Sequence, residues 1–281
     1  MKRFLVCTDL SEASDTVLKG AEELRKRNGG TIDLLFISES GLHLEDALIR
    51  PENITYKSVI LGAMKESINT KIKEQIKKCG ATANIIYGEG RVSEVIVNIA
   101  KEGQHDLIIM GHGQKPVILQ IFGSNAFKVI STTPIPILVI KKTVSFHKIA
   151  GLVDESRAMD FVIKATFKCL REFQFSETEF ISLWIDFPKP FGNLEEGLVV
   201  ESRLREAVDV YLQPKDKTYI RTEPTRELKL AYPIAKMLKE DNVDFVVLKK
   251  FSEGNPTRTY IGSTTKRLLE VFEGNLLVLP T

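Results

Sequence analysis

The sequence predicts an α/β protein made of two tandem, doubly wound domains, each with a five-stranded parallel sheet. Short, almost wholly apolar runs alternate with longer runs of helical period through the first half of the chain. Strands without a polar side are typical of parallel sheets, because helices cover both faces. A similar pattern begins again in the second half, which predicts a second domain of the same kind.

The strands of the first domain are predicted from apolar runs that end at turn-forming residues. These runs are FLVCTD (4–9), TIDLLFIS (31–38), TANIIY (82–87), DLIIMG (106–111) and IPILVI (135–140). Between the second and third runs, Gly41 to Tyr56 has no clean period and contains Pro51. We predict a variable loop over that region.

Helices are predicted between the strands from apolar residues three or four positions apart. The first begins at Ser11, with acidic Glu12 and Asp15 in its first turn, and a short later helix begins at Ser124. The apolar stripes are Val17, Leu18, Ala21 and Leu24 in the first helix, Ile60, Met64, Ile68, Ile72 and Ile76 in a lysine-rich one, and Val92, Val95, Ile96, Ile99 and Ala100 after the GEGR turn. Each stripe is expected to pack on the sheet.

Matching positions recur in the two halves of the chain, in the same order and at nearly constant separation. The pairs are Asp9 and Asp154, Asp106 and Asp244, and Gly123 and Gly262, which lie 145, 138 and 139 residues apart. A steady offset over several anchors indicates an internal duplication. We predict a first domain over residues 1–143 and a second, degenerate domain over 144–281, related by a pseudo-two-fold axis.

Composition excludes several classes of protein. The 281 residues are 43% hydrophobic and 27% charged, with a net charge of +2 and no basic block interleaved with aromatics, so nucleic acid is not an expected partner. Cys7, Cys79 and Cys169 are far apart, which predicts lone thiols in a reducing compartment and no metal site. No apolar run approaches the roughly 20 residues of a membrane span. We expect a cytoplasmic protein.

The loop after the fourth strand is the strongest candidate for a binding site. In doubly wound sheets, ligands bind beyond the carboxyl ends of strands, where Asp9 and Gly111 should both lie. Gly113 and Gly123 let backbone amides approach a ligand, and Ser124 opens a helix whose unpaired N–H groups favour an anion. The alternative is a tight turn with a serine N-cap; with Asp9 opposite, nucleotide binding is the favoured interpretation.

Two common phosphate-binding motifs are absent, and so is an evident catalytic set. The chain has no G-x-x-x-x-G-K-[ST], and TDLSEAS follows the first strand where a G-x-G-x-x-G would stand in a dinucleotide-binding protein. No Ser/His/Asp order or Cys/His pair has catalytic spacing. His112 is the one histidine in the loop, as a phosphate neighbour or a solvent-facing side chain. We expect slow hydrolysis of a bound nucleotide at most.

Three stretches resemble the universal stress protein family: FLVCTDLSEASDTVLKGAEEL, YGEGRVSEVIVNIA and DLIIMGHG…FGSNAFKVISTTPIPILVI. The resemblance covers the first half almost end to end and the second half more weakly. It implies a parallel sheet in the order 3-2-1-4-5, a usually dimeric assembly and, in ATP-binding members, the pattern G-x-x-G-x9-G-[ST]. The chain is thus expected to be a tandem member of the family.

The resemblance also implies roles for individual residues. Thr8 and Asp9 would end the first strand, with Asp9 facing the adenosine end of ATP, which binds with Mg²⁺. Ile37 would pack on the base. The other implied nucleotide-binding residues are Met110 and Gly111, through their backbone, and Gly113, Gly123, Ser124 and Asn125, along the phosphates.

The loop departs from the family pattern by one residue. Gly111, His112 and Gly113 leave a gap of one residue where the pattern has two, whereas nine residues still precede Gly123. In the second half, Lys249 replaces the first glycine, and a solvated pair of Lys249 and Lys250 is favoured over an anion site. Nucleotide is therefore expected in the first half only.

Two functional hypotheses remain open. The first is a stress-response protein that binds ATP or a related nucleotide as a regulatory ligand. The second is a scaffold or carrier for an apolar ligand or a protein partner, which includes a second copy of the chain. The aromatic residues Phe173, Phe175, Phe180, Trp184, Phe187 and Phe191 bear on the second hypothesis. Core and inter-domain packing is their favoured role, and an acyl-chain pocket is the alternative.

Overall fold

A computed structural model of the chain describes residues 2–38, 54–111, 124–153, 159–185, 194–225, 229–250 and 261–280. The first half contains β1 (Arg3–Thr8), α1 (Glu12–Asn28), β2 (Thr31–Ser38), α2 (Ile54–Cys79), β3 (Asn84–Glu89), α3 (Val92–Glu102), β4 (Leu107–Gly111), α4 (Ser124–Thr132) and β5 (Ile137–Ile140). The second contains β6 (Lys148–Leu152), α5 (Met159–Glu172), β7 (Glu177–Ile185), α6 (Leu194–Asp209), β8 (Thr218–Thr225), α7 (Ala231–Glu240), β9 (Phe245–Lys249), α8 (Ser263–Val271) and β10 (Asn275–Leu279).

All ten strands join one sheet in the order β3-β2-β1-β4-β5-β10-β9-β6-β7-β8. The first half follows the predicted order 3-2-1-4-5, and the second half repeats that order in reverse. Neighbouring strands are parallel except at the centre, where β5 and β10 pair antiparallel from Ile137 with Val278 to Val139 with Leu276. This reversal gives the predicted pseudo-two-fold relation between two doubly wound units, whose proposed boundary lies at residues 143 and 144.

Two apolar layers cover the faces of the sheet. Alternate residues of β1 point to opposite layers, so that Phe4 and Val6 join one layer and Leu5 the other. The first layer holds α1, α2, α5 and α6, and the second holds α3, α4, α7 and α8. Both layers run continuously from one half into the other, because β5 and β10 contribute residues to each.

Helix α1 shows how local sequence sets these elements. Ser11 is its N-cap and accepts a hydrogen bond from the backbone N–H of Ser14 (3.3 Å), as the serine before the apolar stripe predicts. Gly29 adopts a left-handed conformation (φ 71°) at the C-terminus and donates its N–H to the Arg25 carbonyl. The predicted stripe of Val17, Leu18, Ala21 and Leu24 is fully buried.

The structure adjusts several boundaries. The predicted loop to Tyr56 ends by Ile54, where α2 begins, and residues 39–53 lie outside the described part. Of the α2 stripe, Ile72 is fully buried, and the side chains of Ile60 and Met64 lie outside the description. In α3, which packs on β2 and β3, Val97 is buried and the expected Val95 is half-buried.

Phe173, Phe175 and Phe180, the described phenylalanines of the aromatic set named above, are buried in the core, as favoured there. Phe175 contacts the rings of Phe146 and Phe245 at centroid distances of 5.4 and 5.0 Å, and Phe167 contacts Phe180 at 5.2 Å. Phe187, Phe191 and the side chain of Trp184 lie outside the described residues. None of the helices in the described ranges combines the length and apolar character of a membrane span.

A lysine from each half reaches a helix end of the other half. Lys250 Nζ donates to the Ser131 carbonyl in the last turn of α4 (2.6 Å), and Lys141 Nζ donates to the carbonyls of Leu269 (2.7 Å) and Phe272 (2.5 Å) at the end of α8. The expectation of a solvated Lys249–Lys250 pair is wrong for Lys250, which is buried. A cation at a helix C-terminus satisfies carbonyls that have no partner within the helix.

Candidate functional site

The predicted nucleotide site lies at the carboxyl ends of β1, β2 and β4 and the start of α4. The β1–β2 ladder continues to Thr8, opposite Phe36, whereas the β1–β4 ladder ends at Val6, opposite Ile109. The two strands therefore stop pairing before their tips. This is the point where the order of strands reverses, and doubly wound proteins bind ligands in such crevices.

Asp9 follows β1 directly and is exposed at this crevice. Its Oδ1 accepts hydrogen bonds from the backbone N–H of Ser11 (3.0 Å), the Ser11 hydroxyl (2.5 Å) and the Ser14 hydroxyl. Partial burial raises the pKa of Asp9, but the hydrogen bonds from Ser11 and Ser14 outweigh it, so the pKa lies below its ordinary value. The side chain is thus an ionised carboxylate at neutral pH.

These hydrogen bonds also fix the direction of the carboxylate. Leu10 adopts a left-handed conformation (φ 62°) between Asp9 and Ser11, which turns the chain from the strand into α1. The Asp9 N–H donates to the Ser14 hydroxyl (3.1 Å), so Ser14 contacts both the backbone and the side chain of Asp9. All three side-chain bonds within the described residues reach Oδ1, which leaves Oδ2 as the acceptor for a ligand.

Thr8 is buried behind Asp9 and has a structural role. Its hydroxyl donates to Gln75 Oε1 (2.8 Å) and accepts from the Leu10 N–H (3.0 Å). Gln75 Nε2 donates to Asp15 Oδ1 (2.8 Å), and Asp15 forms an ion pair with Lys78 (2.6 Å). This chain of contacts ties β1 and α1 to α2, and it places the Thr8 hydroxyl away from the open crevice.

Gln75 and Lys78 were missed from sequence, although one signal was present. Gln75 is a polar residue one turn from Ile72 on the buried side of α2, and it is 6% exposed. A lone amide on an apolar stripe requires a hydrogen-bonding partner. The sequence alone does not show which strand supplies that partner.

Ile37 and Met110 lie in the second apolar layer, on β2 and β4, the two strands that flank β1. Met110 is buried and Ile37 half-buried, and both belong to the cluster that contains Leu5 and Leu35. They border the crevice on the side of α3 and α4. An apolar wall here is compatible with the expected position of a base.

Gly111 ends β4 beside Ile140 of β5. A Cβ atom at Gly111 would lie 3.0 Å from Val17 Cγ2, so the glycine allows α1 to pack closely on β4. That contact explains the glycine without a ligand, while its amide still lies at the strand tip. Gly113 and Gly123 lie outside the described residues, Ser124 begins α4, and Asn125 is half-buried in the first turn.

The candidate site consists of the Asp9 carboxylate, the backbone amide of Gly111 and the N-terminus of α4. The apolar side chains of Ile37 and Met110 border the same end of the sheet. The described residues contain no group of three His, Cys, Asp or Glu side chains that could hold a metal ion. In nucleotide complexes, Mg²⁺ is held largely by phosphates and water with one or two carboxylates. The phosphates of a bound nucleotide, together with water, would therefore supply most of the ligands of Mg²⁺.

The fold defines the chain as an α/β protein with two fused, doubly wound units. A family model described as the universal stress protein family matches residues 1–141. The chain belongs to the universal stress protein family. A comparison with curated proteins finds no significant match.

Solved structures support the tandem fold. A universal stress protein from Archaeoglobus fulgidus is 17% identical, with a TM-score of 0.70 over 99% of this chain and 98% of its own. A functionally unknown protein from Pseudomonas aeruginosa is 15% identical, with a TM-score of 0.64 over 100% of this chain and 92% of its own. These identities establish the fold alone. A universal stress protein in complex with cAMP aligns with 49% of this chain and 94% of its own, at 18% identity and a TM-score of 0.35.

Proposed function

We propose that this tandem universal stress protein binds ATP or a related nucleotide in its first half, as a regulatory ligand in a cytoplasmic stress response. The observation that supports the proposal is that the ionised Asp9 follows β1 and Gly111 ends β4, the two strands between which the strand order reverses. Asp9 Oδ2 would accept a hydrogen bond from the ribose hydroxyls. The base would lie against Ile37 and Met110, beside the backbone of Gly111.

The phosphates would lie along the loop that joins β4 to α4. Gly113, Gly123, Ser124 and Asn125 are the proposed contacts, because the first turn of a helix presents unpaired N–H groups to an anion. When bound, Mg²⁺ would neutralise the charge of the triphosphate. No general base is assigned to this site, so the proposed role is binding and not rapid turnover.

Thermal denaturation with ATP and Mg²⁺ tests the proposal. A ligand that binds only the folded chain should raise the melting temperature by roughly 5–10 °C at about 100 times its Kd. Asp9→Asn should reduce this rise in melting temperature, and Ser124→Ala alone should reduce it by more than Asp9→Asn does. Asp15→Asn should show the full rise, because it alters a carboxylate away from the crevice. No rise for the wild type at millimolar nucleotide would exclude a nucleotide ligand.

A protein partner is the second candidate function, and the second half gives it specific support. Lys249 stands in β9 at the position of the first loop glycine, and Lys250 is engaged with Ser131. In the second half, the strand that corresponds to β4 therefore ends in a lysine, whereas β4 ends in Gly111, which has no side chain. Native mass spectrometry of protein purified from cells distinguishes the functions, since a co-purified nucleotide supports the first and a stoichiometric protein supports the second.

A further inference from the structure

A cavity is present at the junction of the two halves, away from the crevice at Asp9. This cavity of about 360 Å³ lies between α5 of the second half and the amino ends of β1, β4 and β5. Lys2 and Phe4 line it, at the opposite end of β1 from Asp9. Its volume is within the usual range of small-ligand pockets, about 300–1,000 Å³.

The floor of this junction cavity is apolar and comes from both halves. Phe4 and Leu107 contribute from the first half, and Leu277, Leu279 and Phe173 from the second. Each is less than one-tenth exposed, so the floor is rigid core. An apolar cavity of about 150 Å³ already accepts benzene, so the present one can hold a longer hydrocarbon.

The rim of the cavity carries three lysines and two acidic residues, so its net charge is positive. Lys2 is hydrogen-bonded to Glu172 and lies 5.4 Å from the Phe173 ring centroid, and Asp106 accepts from the Arg3 N–H (2.8 Å). Lys168 reaches Glu172 only at 4.0 Å.

Lys164, one turn before Lys168, is exposed and has no ion pair or hydrogen bond among the described residues. Within the described part of the chain, the Lys164 ammonium thus borders an apolar cavity without an ion pair of its own.

The corresponding space in the first half is filled. The offset of 145 residues that relates Asp9 to Asp154 also relates Gly20 of α1 to Ala165 of α5, which lines the cavity. At Gly20 a Cβ atom would lie 2.7 Å from Ile140 Cδ1 and 3.4 Å from Val144 Cγ2. Side chains thus occupy in one half the volume that stays open in the other, so the cavity is not a general consequence of the fold.

We propose that this junction cavity binds a medium-chain fatty acid. The alkyl chain lies on the floor formed by Phe4, Leu107 and Leu277. The carboxylate pairs with Lys164, and Lys168 adds a second positive charge. Phe161, which is 45% exposed at the mouth, covers the chain. A carboxylate matches the lysines, and a chain of about ten carbons matches the volume by comparison with benzene.

Isothermal titration calorimetry of the full chain with decanoate tests this proposal, with decanol and decylammonium as probes of equal chain length. Decanoate should bind the wild type roughly tenfold more tightly than decanol, because an ion pair adds to the apolar contact. Decylammonium should bind more weakly still. Equal binding of decanoate and decanol would overturn the assignment of a carboxylate, and no binding of either would overturn the site.

Two variants separate the contributions. Ala165→Phe fills the cavity and should abolish binding of decanoate and decanol. Lys164→Ser/Lys168→Ser changes only exposed positions, so the fold is retained, and it should weaken decanoate roughly tenfold without affecting decanol. Lys236→Ser/Lys239→Ser, on the exposed side of α7, is the matched control and should bind decanoate normally. Wild-type affinity in the first double variant would contradict the proposal.

The measurement is independent of the nucleotide site. The lysine variant leaves Asp9 and Gly111 unchanged, so its melting temperature should respond to ATP as the wild type does. A fatty-acid result and an ATP result can therefore fail separately.

Discussion

The ammonium group of Lys250 lies 2.6 Å from the carbonyl oxygen of Ser131 and joins the second half of the chain to the last turn of α4 in the first. Lys141 makes the reciprocal contact with the end of α8. The lysines thus stabilise the junction at two places, beside the antiparallel pairing of β5 and β10.

Replacement of Lys250 by methionine should destabilise the protein. Lys250→Met leaves the Ser131 carbonyl without its donor, and a hydrogen bond to a charged group contributes about 1.5–3 kcal/mol. Urea denaturation should report a loss of about that size. Lys249→Met is the matched control, since the Lys249 side chain makes no such contact with any residue that the structure describes, and it should change stability by less than about 0.5 kcal/mol. Equal losses in the two variants would contradict a specific contact.

Lys141 should make stability depend on alkaline pH. Burial lowers the pKa of Lys141 from 10.5 to about 8 in the folded chain. Between these two pH values the unfolded chain holds the proton and the folded chain does not, so this residue's contribution to the free energy of unfolding rises as pH increases from about 8 to 10.5. The difference between wild type and Lys141→Met, measured by urea denaturation across this range, should follow that rise. A pH-independent difference would show that Lys141 titrates normally.

The buried contact between Thr8 and Gln75 should respond asymmetrically to substitution. Thr8→Val keeps the shape but leaves Gln75 Oε1 without its donor, which should cost about 1–3 kcal/mol of unfolding free energy. Thr8→Val/Gln75→Leu removes both partners and should recover part of that loss. If the double variant loses more unfolding free energy than the two single variants lose together, the pairing of Thr8 with Gln75 is refuted.

A side chain added at Gly111 should destabilise the folded protein, because Gly111 packs closely against Val17. Gly111→Ala places a Cβ about 3.0 Å from Val17 Cγ2 and should destabilise the protein by about 1–3 kcal/mol through overpacking. Gly111→Ala/Val17→Ala relieves the clash and should be less destabilised than additivity of the single changes predicts. Strict additivity in thermal denaturation would mean that the two residues are not in contact.

Much of the fold follows from local sequence patterns. The start of α1 at Ser11, the stripe of α1 and the run from Thr31 to Ser38 were each predicted, because periodicity and helix starts depend on neighbours in the chain. The duplication indicated a two-fold relation in advance. The antiparallel pairing of β5 with β10 did not follow, since apolar runs carry no information on the direction of a neighbouring strand.

The candidate site was predicted less completely than the fold. The position of Asp9 at a strand tip follows from strand length, but its orientation depends on Ser14 and on the left-handed Leu10. The burial of Lys250 depends on α4, more than a hundred residues away in the chain. Such long-range contacts are set by the packing of the halves, which the local pattern around a lysine does not encode.

The pairing of β5 with β10 within one chain affects how the sequences of the two halves can evolve. In a dimer of identical chains, a substitution in one subunit necessarily occurs in both. Fusion removes that constraint, so that one crevice can retain glycine at position 111 while its counterpart acquires Lys249. Selection can thus act on the two halves separately within a shared core, as the packed space at Gly20 and the open space at Ala165 illustrate.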